Sequence, residues 1–104
     1  MSQFCVYANA DATSRRVIPC WLNVQSDLIH TAESRVVVPM IAPARVGPLV
    51  GTLMPTLTVA GKPMVMDTAQ ITNVPLQILG QQLADLSPDR LVIIGALDFL
   101  THGI

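Results

Sequence analysis

Asp98 and His102 stand four residues apart near the end of the chain, a spacing that stacks a carboxylate and an imidazole on one face of a helix, as a general acid-base pair would need. A histidine near a helix C-terminus with an acid one turn earlier is also ordinary helix electrostatics, and the pair is read that way. His30 follows Val24-Gln25-Ser26-Asp27 and is expected in a solvated loop rather than at a proton-transfer site. Thr13, Arg15 and Arg16 could line a groove for RNA, although loop arginines are more often simply hydrated. Trp21 sits in an alternating stretch and is expected in a core or an interface, not on a stacking platform. No G-x-S-x-G, glycine-rich phosphate loop, C-x-x-C or paired-histidine ligand motif occurs. Cys5 and Cys20 lack metal-ligand spacing and are expected as buried small hydrophobes rather than a disulfide. These residues point away from catalysis, and no cofactor or metal is expected.

If the chain is not an enzyme, its surface must do the work by contact. The 104 residues fit one domain, with 51% hydrophobic residues and only 12% charged, against about 25% charged in an average domain. So small a body has too much surface for so few charges to keep every apolar patch wet, so part of it should meet another chain. The net charge is -1, with Lys62 the single lysine and the arginines scattered. Tight binding to bare nucleic acid, which requires clustered cations, is therefore not favoured. Residues 1–16 carry no apolar run of signal-peptide length, and the most apolar segment, Leu91 to Leu100, is about half a membrane span and contains Gly95 and Asp98. A cytoplasmic protein with no membrane partner is expected.

The elements that would position these groups follow from punctuation by eight prolines, which leave little room for long helices before residue 88. Gln3 to Tyr7 predicts a short strand. Val17 to Gln25 predicts another, with Ile18, Cys20, Leu22 and Val24 on one face and Trp21, Asn23 and Gln25 on the other. The two should pair as a hairpin across a polar loop, Ala8 to Arg16. Arg35 to Ile41 is continuously apolar and predicts a central strand, with Pro39 forcing a bulge or an edge position. Thr56 to Ala60 and Pro63 to Asp67 flank Gly61-Lys62, read as a type II′ turn, and Val74 to Leu79 is read as the last strand. Ser87-Pro88-Asp89 then supplies an N-cap hydroxyl, a proline at the first helical position and an acid at the positive end of the dipole. The helix should run to about His102, with Gly103 taking the left-handed C-terminal conformation. Val92, Ile93, Ala96, Leu97, Phe99 and Leu100 should form its apolar side.

Several short segments recur in the order and spacing of one known family. Gln3-Phe4 with Val6-Tyr7, Val24-Gln25-Ser26-Asp27 with Leu28-Ile29, Arg35 before Val36-Val37-Val38-Pro39, Val74-Pro75, Ala84-Asp85-Leu86-Ser87 and the final Gly103-Ile104 resemble CcdB, the toxins of the ccd toxin-antitoxin modules. The resemblance covers nearly the whole chain and is weakest over residues 8–20 and 42–55. It implies a mainly β fold with a C-terminal α-helix, an SH3-like barrel of the CcdB/MazF type, in a symmetric homodimer. It further implies a toxin that is not an enzyme, binds the DNA gyrase A subunit and holds gyrase in its DNA-cleaved state. A CcdA-type antitoxin would neutralise it, and DNA would be met only through gyrase or the antitoxin complex.

The same resemblance implies the contact residues. Gyrase would be engaged by His102, Gly103 and Ile104 at the helix tip, with Asp98, Leu28, Ile29 and Ser26 beside them; the antitoxin would cover Gln3, Phe4, Tyr7, Leu28 and Ile29. Family toxins that poison gyrase strongly can carry tryptophan at the position of His102, whose flat ring stacks on a gyrase arginine, and the imidazole here offers a smaller stacking area. For Phe4 and Ile29, packing in the core is an equal expectation. Two other readings stay open: a MazF-like endoribonuclease using the Thr13 to Arg16 loop, and a non-toxic relic that still binds antitoxin.

Overall fold

The computed structural model describes residues 1–47 and 51–103. Seven strands form one antiparallel sheet: β1 (Cys5–Asn9), β2 (Cys20–Asn23), β3 (Ser34–Ile41), β4 (Thr56–Val59), β5 (Lys62–Met66), β6 (Thr72–Pro75) and β7 (Leu79–Asp85), followed by the helix α1 (Arg90–His102). The order across the sheet is β4-β5-β3-β2-β1-β7, with β6 also paired to β3. The expected β1–β2 hairpin forms with Tyr7 opposite Trp21.

β3 is central, as its apolar run requires, and Pro39 is neither at an edge nor in the way. Ser34 to Val37 pair with β6, while Met40 and Ile41 pair with β5. Pro39 falls where β3 changes partner, so its missing N–H costs no ladder bond. Its carbonyl accepts the Asp67 N–H at 2.9 Å across that gap.

Alternation along the strands separates two apolar clusters on opposite faces of the sheet. One holds Phe4, Val6, Leu22, Val38, Met40 and Met66 with the helix residues Ile93 and Ala96; the other holds Cys5, Tyr7, Trp21, Val37, Val74 and Leu79. Cys20 belongs to the first and Cys5 to the second, so the two thiols are buried and free on different faces. Burial pushes the Cys20 thiol up to about 11. Ile18, expected on the face of Cys20 and Leu22, packs instead with Trp21. The strand begins only at Cys20, after Pro19, so the alternation does not reach back to residue 18. Antiparallel strands curled around the first cluster, which the C-terminal helix covers, are consistent with an SH3-like barrel.

Two expectations about the chain's punctuation are corrected. The last strand is β7, not Val74 to Leu79: that stretch is split between β6 and a 3-10 turn at Leu76–Ile78. β7 escaped notice because Gln81, Gln82 and Leu83 are all exposed, leaving no alternation to read. Its pairing to β1 is closest at Gly80, where a Cβ would stand a tight 3.1 Å from the Ala8 carbonyl oxygen. The β4–β5 turn is centred on Ala60-Gly61 rather than Gly61-Lys62, because Val59 pairs with Lys62. Both central residues have positive φ, 49° and 82°, which makes it a type I′ turn. Alanine is strained there, by roughly 1–2 kcal/mol. Ala60→Gly should therefore stabilise the fold by about 0.5–1 kcal/mol after the extra unfolded-state entropy of glycine is subtracted. Urea unfolding of the two proteins measures this, and an unchanged midpoint would contradict it.

Candidate functional site

The segment from Val24 to Thr31 is built by buried amides. Gln25 is only 8% exposed. Its Nε2 donates to the Ile29 carbonyl at 2.8 Å and to Thr31 Oγ1 at 3.0 Å, while its Oε1 accepts the Val36 N–H. The neighbouring Asn23 side chain accepts the Gln25 N–H and donates to the Ser2 carbonyl. Gln3 closes the arrangement from the N-terminal side: its N–H donates to Asp27 Oδ1 at 2.9 Å and its Nε2 to the Val24 carbonyl at 3.1 Å. These bonds tie the segment down from inside, and its apolar side chains at 28 and 29 project outward. Ser26 Oγ accepts the Leu28 N–H, and Leu28 and Ile29 project 85% and 59% exposed.

Phe4 and Tyr7 are buried, on opposite faces of the sheet. Phe4 is 9% exposed and packs in the same cluster as Ile93 and Ala96. It takes a φ of 70°, a costly value for a bulky residue. It is held there by its buried ring and by two backbone bonds, from its N–H to Asn23 at 2.7 Å and from the Leu86 N–H to its carbonyl at 2.8 Å. Tyr7 is 5% exposed on the other face, where its hydroxyl accepts the Ser2 N–H. Burial raises the Tyr7 pKa. Phe4 shares its cluster with Val24 at the start of the 24–31 segment, whereas Tyr7 packs with Trp21 and Val37 on the opposite face of the sheet.

The second group is the helix. Its start differs from expectation: Ser87 to Asp89 form a 3-10 turn, and the Ser87 hydroxyl caps nothing. It donates instead to Asp85 Oδ1, which also accepts the Ser87 N–H at 2.9 Å. An Asx turn one step earlier thus does the work assigned to an N-cap. The Ser87 hydroxyl is the leading cause of a lowered Asp85 pKa, and the Thr13 hydroxyl does the same for Asp11 in the β1–β2 loop. A carboxylate with a depressed folded pKa contributes stability above its ordinary value of 3.8 that is lost as pH falls through the folded pKa. Asp85→Asn should flatten the acid side of the stability-pH curve, measured by urea unfolding between neutral pH and pH values below that range. A curve unchanged in slope would remove Asp85 from the account.

Along α1, Ile93 and Ala96 are buried and Leu97 packs partly against the core. Val92 and Leu100, assigned to the inner side, are instead 48% and 36% exposed; Leu91 at 76% and Ile94 at 41% join them. The helix therefore turns a narrow stripe inward and leaves much of its apolar circumference open. At its end Gly103 adopts φ 73°, ψ 18°, and its N–H donates to the Phe99 carbonyl at 2.8 Å, the left-handed close expected of it. His102 is exposed, and its Nδ1 lies 2.8 Å from Thr101 Oγ1, so its hydrogen bond goes to a neighbour and not to Asp98. Ile104 lies outside the described residues.

The structure thus brings Gln3, Ser26, Leu28 and Ile29 into one bonded unit, and places Asp98, His102 and Gly103 at the far end of a helix about 20 Å long. Phe4 connects the two through the core. Sequence reasoning gave no positioning role to Asn23, Gln25 or Asp27; buried amides among apolar strand residues were the available signal. The loop Thr13 to Arg16 is braced from within, Thr13 and Ser14 hydroxyls both donating to Asp11 and Asn9 Nδ2 to Ser14 Oγ and the Ile18 carbonyl, while Thr13, Arg15 and Arg16 stay exposed. Among the described residues, no three His, Cys, Asp or Glu side chains gather as a metal-binding group. The projecting apolar loop and the open helix are surfaces on which a partner can dock. A family model described as CcdB protein matches residues 3–103 of this chain.

Proposed function

The chain belongs to the CcdB protein family, a family of ccd-system toxins, and on that premise we propose that it binds the gyrase A subunit and traps the gyrase-DNA cleavage complex. The observation that carries this reading is the family match over residues 3–103, which spans both docking groups. The exposed end of α1 supports it, since His102 and Gly103 stand clear of the barrel where a partner can reach them. Leu28 and Ile29 would meet a CcdA-type antitoxin, a peptide that folds as it binds. No helix among the described residues is long and apolar enough to cross a membrane.

A two-fold target calls for a two-fold ligand, and the open stripe of Leu91, Val92 and Ile94 is apolar surface that a second copy would cover. Sedimentation at micromolar concentration should give about twice the 11.2 kDa chain mass, and Leu91→Glu should shift it towards one chain mass. A wild type of one chain mass would overturn the dimer.

The decisive experiment incubates the purified protein with gyrase and supercoiled DNA, beside an RNA digestion on the same preparation. Trapped cleaved DNA with intact RNA is the expected result. Digested RNA with no trapped DNA would replace this reading with a MazF-like endoribonuclease, and neither activity, with antitoxin still bound, would replace it with a non-toxic relic.

A further inference from the structure

A groove of about 520 Å³ opens on the face of the sheet that carries Trp21, and it shares no lining residue with the 24–31 segment or the helix tip. Its walls include Val17, Ile18, Pro39 and Ile41, and its charged groups are Arg45 and Asp67. The volume falls within the range of small-ligand sites. The backbones of the two charged residues are held independently. Asp67 is held beside Pro39 by its own N–H, and Arg45 ends the 3-10 turn Pro43–Arg45.

The two charges share the groove without satisfying each other. Asp67 is half-buried, and burial raises its pKa; among the described residues no cation or hydrogen-bond donor offsets that cost. A ligand that brings a cation to Asp67 recovers that cost, and one that also brings an anion to Arg45 leaves neither charge uncompensated. The apolar part of the lining, Val17, Ile18, Pro39 and Ile41, suits an aliphatic body, with Gln70 and Thr72 as the polar remainder. We propose that this groove binds a short zwitterionic peptide with aliphatic side chains, its carboxylate on Arg45, its ammonium on Asp67 and its side chains on Val17, Ile18, Pro39 and Ile41. A single amino acid carries the same end groups but too little aliphatic surface to cover that wall.

Amide NMR titration of the full chain with leucyl-leucine tests this, with N-acetyl-leucyl-leucine amide and free leucine as comparison probes. Leucyl-leucine should shift the amides of Ile18, Ile41 and Thr72 in the millimolar range or below. Capping both ends should weaken binding at least about fivefold, as should Arg45→Gln or Asp67→Asn, which remove one partner each. Free leucine should bind more weakly than the dipeptide. Capped and uncapped peptides of equal affinity, or groove amides that do not move, would overturn the proposal, as would both variants binding like the wild type. The capped-peptide comparison uses the unaltered protein and so does not depend on either variant folding.

Discussion

Deletion of Gly103 and Ile104 is expected to cut trapping of cleaved DNA by gyrase at least about thirtyfold, the loss of one hot spot of about 2 kcal/mol. Stability should scarcely change, because Gly103 is exposed and its N–H makes only the closing bond of the helix, to Phe99. The pairing of these two results matters: a general loss of fold would lower both. His102→Trp should strengthen trapping by enlarging the flat surface offered to an arginine, and His102→Ala should weaken it. The ring is free to reorient for this contact, since its hydrogen bond is to Thr101 on the same turn and anchors nothing else. Trapped DNA is quantified with purified gyrase across the truncated, alanine, tryptophan and parent proteins. Equal trapping by truncated, alanine and parent proteins would show that the contact lies elsewhere.

Leu28→Asp should weaken binding of the antitoxin by a factor of about thirty or more while leaving cooperative unfolding intact. Leu28 is 85% exposed, so the fold gains nothing from its side chain and loses nothing when it is replaced. In the complex the position is costly twice over, through lost burial of about 2 kcal/mol and through an unpaired carboxylate placed against apolar surface. For the parent protein, a peptide that folds on binding should give a strongly negative heat-capacity change in calorimetry, reduced in the variant together with affinity. Undiminished affinity would move the antitoxin surface off this loop.

Patterns confined to one element and its immediate ends were legible in the sequence. The alternation from Cys20 to Val24, the apolar run of β3 and the glycine closing α1 each follow from residues within a few positions. What depended on partners was not. β7 is a strand because β1 offers it an edge and Gly80 lets it approach, although its exposed glutamines carry no period. The β4–β5 turn slipped by one residue because a glycine can occupy either central position, and only the Val59–Lys62 pairing decides. Ser87 lost its cap to Asp85 because a carboxylate two residues earlier is the stronger acceptor. In the candidate site, the family pattern gave Leu28 and Ile29 as contact residues and the structure leaves both open. The same pattern gave Phe4 and Tyr7 as antitoxin contacts, and their burial is a feature that the pattern alone does not carry.

The pairing of β1 with β7 also sets a timetable. β1 ends at Asn9 and β7 begins at Leu79, so one side of the first strand waits for a neighbour made seventy residues later. At about 5–20 residues per second, translation holds that edge open for roughly 3.5 to 14 s. The helix start is tied to the same event, since the Leu86 N–H bonds Phe4 and both pack in one cluster. A nascent chain therefore cannot assemble its docking end early. The β1–β7 edge and the start of the helix close together, once residues 79–86 have been made.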